Sequence, residues 1–235
     1  MASTSQASFV ARLAKAEQLY QSLINFNNYD PGETSLKPEI LLDLINQLHL
    51  NQTEHTNAQH EYLLATFERR KLFIVEPNSI GKLLSPIGSF VRAKMNKNSQ
   101  QAKDVTQLII KIRGAKTKAI TKNTDTVTIS SYEKSYGSQL QNFQDIITLL
   151  ISFGTNNEPS NIAIKIAQLQ STYQDAVAKT NAVTQKLTLY KPKIVNRLQS
   201  FELLTQKANA IKEMVKSQYA ITSSEYILIK GLSFN

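Results

Sequence analysis

The feature that most constrains this chain is one helical stripe written twice. Phe9, Leu13, Ala16, Leu19, Leu23 and Phe26 recur 127 residues later as Tyr136, Leu140, Phe143, Ile146, Leu150 and Phe153. Neighbours within each set are three or four residues apart, the spacing that puts side chains on one face of an α-helix. A polar loop with a proline follows both stripes, over residues 27–31 and 154–159. Later segments also correspond: LFIVEP at 72–77 with LTLYKP at 187–192, Lys94-Met95 with Glu213-Met214, and residues 110–114 with 227–231. The offset drifts between these pairs, which places length differences in the middle helices.

Composition supports helices over strands. Glycine and proline number only 7 and 6 in 235 residues, too few for a turn-rich β protein. Period-two alternation is scarce. The first unit is expected to hold helices over 5–26, 38–75, 79–97 and 102–113. Pro38 suits a first helical turn, where no N–H is needed, and Pro77 stops the second helix. The second unit is expected to run 132–153, 160–190 and 192–218, with a short segment to Gly231. The expected fold is therefore all-α: two tandem copies of a three-to-four-helix up-down bundle unit with long antiparallel helices. Residues 1–114 form the first copy, 115–131 a polar linker and 132–235 the second.

Catalytic chemistry finds little support. No cysteine is present, which excludes disulfides, thiolate nucleophiles and cysteine-held metals. His49, His55 and His60 are five, six and eleven residues apart, where two metal ligands on one helical face need three or four. They read as solvated or core-edge residues. Glu54, Glu61 and Glu68 form a seven-residue ladder about 10 Å per step, a polar coiled-coil flank too widely spaced for a carboxylate dyad. Ile80-Gly81-Lys82 lacks the glycine-rich loop and the hydroxyl of a phosphate-binding P-loop. No catalytic residue, cofactor or metal is expected.

Charge is uneven. Residues 82–122 carry ten Lys/Arg and one acid, Asp104, while residues 1–81 are net acidic. Acidic and basic helices of one bundle can pair along their flanks, or the basic segments can face an anionic partner. The candidate anionic-partner patch comprises Lys94, Lys97, Lys111, Arg113, Lys116 and Lys118.

The paired S-[FY]-x-x-x-L openings, at Ser8 and Ser135, and the ending from Ser223 to Phe234 resemble a group of tandem-repeat helical proteins from flavobacteria-type bacteria. That resemblance implies a duplicated all-helical fold over nearly the whole chain and brings no activity or functional residue with it. The expected function is a non-enzymatic helical structural or protein-interaction role, with an unknown protein partner or self-association. The alternative is a basic protein that binds nucleic acid non-specifically. Neither a signal peptide nor a transmembrane segment is visible, so the expected location is cytoplasmic.

Overall fold

The computed structural model describes residues 4–114, 135–154 and 158–234, with side chains from Phe9 onward. Among the described residues the protein is all-helical, without strands. The helices are α1 (Thr4–Ile24), α2 (Pro38–Arg70), α3 (Ile80–Met95), α4 (Gln100–Arg113), α5 (Tyr136–Ser152), α6 (Ile166–Tyr219) and α7 (Ser224–Lys230). Short 3₁₀ turns at Thr34–Leu36 and Ile162–Ile164 lead into α2 and α6, and a π-helical turn at Lys71–Val75 extends α2. No helix of the described residues is long and apolar enough to cross a membrane.

The chain folds as two compact units, and they cut across the expected division at 114 and 132. One unit joins Met1–Glu61 to Leu187–Asn235; the other is Tyr62–Lys186. In the first, Leu13, Leu19 and Leu23 of α1 and Leu41 and Leu48 of α2 pack with Phe201, Leu204, Ile211 and Val215 of α6 and with Ile229 and Phe234. In the second, Phe73, Ile80, Leu84, Ile87 and Val91 pack with Val105 and Ile109 of α4, Phe143, Ile146 and Ile147 of α5, and Leu169 and Ala176 of α6. Each core thus takes the front of one sequence copy and the back of the other. A repeated stripe records that two helices have similar apolar faces; it does not specify which helix covers which face.

Burial recurs at fixed spacing all the same. Leu13, Ala16, Leu19 and Leu23 are buried, and so are Leu140, Phe143, Ile146 and Leu150, 127 positions later. At 128 positions, buried Leu36, Leu41, Leu44, Leu48, His55 and Phe73 correspond to buried Ile164, Leu169, Thr172, Ala176, Val183 and Phe201. From α3 onward the spacing is 124: Ile80, Leu84, Ile87, Val91 and Val105 correspond to Leu204, Ala208, Ile211, Val215 and Ile229. The turns correspond too. Asn96 and Ala220 both adopt positive φ, 67° and 74°. Three residues later Ser99 and Ser223 cap α4 and α7, their hydroxyls accepting from Ala102 N at 3.2 Å and Tyr226 N at 3.1 Å.

The change from 128 to 124 explains one departure from expectation. Pro192 was expected to start a helix, and instead lies inside the 54-residue α6. Pro77 is followed by Asn78 and Ser79, turn and cap formers, and Ser79 O accepts the first bonds of α3 from Lys82 N at 2.9 Å and Leu83 N at 3.0 Å. Pro192 is followed by Lys193 and Ile194, which favour continued helix over a turn. The second copy lacks the four-residue break, so α6 continues where α2 gives way to α3.

Candidate functional site

The structure divides the basic patch expected from the sequence. Lys94 lies in the last turn of α3 and Lys97 in the turn that follows. Lys111 and Arg113 lie in the last turn of α4, beginning eleven residues after Gln100 and so about 16 Å further along the helix axis. All four side chains are exposed. Lys116 and Lys118 lie outside the described residues. Two cations that the patch omitted, Arg92 and Lys103, line one groove with Lys97.

The acidic ladder has basic partners. Lys193 meets Glu54 at 2.6 Å, and Glu68 receives Lys71 at 3.2 Å and Lys179 at 3.8 Å. These pairs are about one-third exposed and screened by solvent, so they orient helices more than they stabilise them. Among the described residues, Arg92, Lys94, Lys97, Lys103, Lys111 and Arg113 form no salt bridge.

The first unit also buries a polar cluster. Each unit contains an arginine stacked on an aromatic pair. Arg69 lies 3.9 Å from the centre of the Tyr136 ring, with Phe73 at 4.7 Å from that ring. Arg197 lies 4.7 Å from the centre of the Phe9 ring, with Phe201 at 4.6 Å. Only the first unit adds His55 and Arg12. Arg197 Nη1 lies 3.1 Å from His55 Nδ1, and Tyr190 Oη lies 3.3 Å from His55 Nε2. A guanidinium only donates, so Nδ1 accepts and Nε2 carries the proton. Arg12 Nη2 donates to Phe201 O at 2.8 Å and to Thr205 Oγ1. Arg197 is buried, and its Nε, like that of Arg12, lacks a hydrogen-bond partner.

Burial, then the neighbouring Arg197 charge, lowers the His55 pKa from its ordinary 6.5. Burial likewise lowers those of Arg12 and Arg197 from the ordinary guanidinium value. His55 is therefore neutral in the folded protein. As pH falls through 6.5 the unfolded chain takes up a proton that folded His55 resists, so stability falls on the acid side. His55→Val, which copies Val183 at the corresponding position of the other unit, should flatten the wild-type loss of denaturation midpoint between about pH 7 and 5.5. Parallel pH curves for the two proteins would show that His55 carries none of it.

The sequence held a signal for this cluster. His55 lies seven residues beyond Leu48, on the stripe that begins at Leu41, so it belongs in the core rather than at its edge. Nothing in the sequence indicated Arg197, because a basic residue on a long helix ordinarily faces water. Among the described residues, no three His, Asp or Glu side chains gather as a metal site requires. No family model, curated protein or solved structure matches the chain.

Proposed function

We propose that the chain is a non-enzymatic helical interaction protein of the cytoplasm, built from two copies of one helical unit, and that it pairs with a second copy of itself. The carrying observation is an apolar surface at the end of α2. Leu63, Leu64, Phe67, Ile74 and Val75 each expose between 48% and 56% of their surface. Single exposed apolar residues are ordinary, but five within thirteen positions form a patch of the kind that partners cover. Its electrostatics favour a protein over a polyanion. Residues 61–76 contain three acids, Glu61, Glu68 and Glu76, and three bases, Arg69, Arg70 and Lys71. Arg69 is stacked on Tyr136, and Lys71 meets Glu68 at 3.2 Å and Glu76 at 3.9 Å. A chain of net charge +9 repels its own copies over most of its surface, and this neutral patch is where two copies approach at least cost. A two-fold contact, in which the same patch serves both copies, is the simplest arrangement.

The recurring burial and the paired caps support the duplication. The alternative reading, non-specific nucleic-acid binding, is a weaker fit, because Lys94 and Lys97 lie beside the start of α4 and Lys111 and Arg113 in its last turn. Sedimentation equilibrium on the full chain tests the proposal. A concentration-dependent dimer should form, and Phe67→Asp should weaken it at least about tenfold, as expected when a charge enters an apolar contact. A protein that stays monomeric at all concentrations, or a dimer indifferent to Phe67→Asp, would remove self-pairing through this patch.

A further inference from the structure

The corresponding turns of the two units are built alike and decorated differently. Both place a residue of positive φ three positions before a serine cap. In the second unit the turn carries Lys97, and Lys103 follows in the first turn of α4. In the first unit the residues 124 positions later are Ile221 and Ile227, 62% and 50% exposed. The turn therefore needs neither lysine in order to fold. The helix dipole disfavours Lys103 as well, since cations are unfavourable near a helix N-terminus and α4 has no acid in its first turn to offset it.

Arg92, Lys97 and Lys103 line one groove of about 410 Å³, together with Ala102, Thr106 and Gln107. No acid lines it; the nearest in sequence, Asp104, accepts a hydrogen bond from Gln100 Nε2 at 2.6 Å. Gly88 keeps α3 and α4 close at this point, for a Cβ there would lie 3.0 Å from Ile109 Cδ1 and 3.1 Å from Arg92 Nη1. Arg92 Nη2 donates a long hydrogen bond to Ser89 Oγ at 3.3 Å, which leaves its charge uncompensated. Three like charges around one groove repel each other until an anion enters.

We infer that this groove binds the phosphate group of a small phosphorylated molecule, held by Arg92, Lys97 and Lys103. A planar guanidinium offers paired donors to two phosphate oxygens, and two ammonium groups supply the remaining charge for a dianion. The volume suits a small ligand rather than a macromolecular track. The assignment is independent of the apolar surface on α2 and stands whether or not the chain dimerises.

Calorimetric titration of the full chain with inorganic phosphate, with adenosine monophosphate and with a single-stranded oligonucleotide tests it. Both small probes should bind at one site per chain. Lys97→Ile with Lys103→Ile, which copies the other unit's turn, should weaken them about tenfold or more, as loss of charge-assisted hydrogen bonds does. Lys111→Gln with Arg113→Gln removes the same charge at the far end of α4 and should change binding by less than about twofold, since exposed charges beyond a Debye length are screened. Circular dichroism checks that the isoleucine variant folds, and Lys97→Gln with Lys103→Gln serves in its place if it does not. Absence of saturable phosphate binding, equal losses in the two charge-removing variants, or binding of the oligonucleotide alone would overturn the site.

Discussion

Cut once between residues 114 and 135, the protein should still migrate as a single particle of unchanged mass. The cut is made at a protease site introduced into that segment of the full chain. It yields one fragment carrying α1–α4 and another carrying α5–α7. Neither fragment contains a complete core. The first unit needs α1 and the start of α2 from one fragment and the end of α6 with α7 from the other. The second unit needs α3 and α4 from one and α5 with the start of α6 from the other. Separating the fragments would therefore open both cores together, at about 1.5–3 kcal/mol for each large apolar side chain returned to water. The contact resembles an obligate interface rather than a surface encounter, so the fragments should hold together with about nanomolar affinity or tighter and part only in denaturant. Two fragments that separate in native buffer, each melting cooperatively as its own helical domain, would contradict the interleaved arrangement.

Phe201→Ala and Phe73→Ala should each cost about 3–5 kcal/mol, lowering the thermal midpoint by roughly 6–20 °C. Both side chains are fully buried, and each packs on an aromatic ring, Phe9 for Phe201 and Tyr136 for Phe73. Truncation leaves a large cavity and strands the arginine stacked beside it. The two variants differ in where the damage lies. Phe201→Ala should speed amide hydrogen exchange over residues 9–61 and 187–234, and Phe73→Ala over 62–114 and 135–186, because proteins open in cooperative units defined by their cores. Uniform acceleration across the chain in both variants would mean that the two cores melt as one.

Helix content and the buried stripes were legible in the sequence, because three-and-four spacing is a local property that survives any packing arrangement. Leu13, Leu23, Leu140 and Leu150 are buried as that spacing requires. Pairing of the later segments was misread for a physical reason. Matching LFIVEP to LTLYKP aligned Pro77 with Pro192, yet the first ends a helix and the second lies inside one. Burial aligns Phe73 with Phe201 and then Ile80 with Leu204, so the length difference sits in the four-residue turn between them. Packing partners were beyond reach, since the apolar face of α1 is chemically similar to that of α5 and either could cover the end of α6. For the candidate site, Lys94 and Lys97 were legible as a basic run. Arg92 and Lys103 flank it in sequence, but only the reversal of the chain at Asn96 to Ser99 brings them to the same groove as Lys97.

The interleaving also dictates the order in which the protein becomes complete during synthesis. Tyr62–Lys186 is a contiguous stretch and has all of its residues once Lys186 leaves the ribosome. Leu13 to Leu48 emerge before it, yet their core is closed by Phe201, Ile211, Val215 and Phe234, which are made after it. At about 5–20 residues per second, roughly 6–25 seconds of translation separate Glu61 from Leu187. Through that interval the apolar faces of α1 and the start of α2 lack the α6 and α7 residues that complete their core, which makes them the part of the nascent chain most in need of a chaperone.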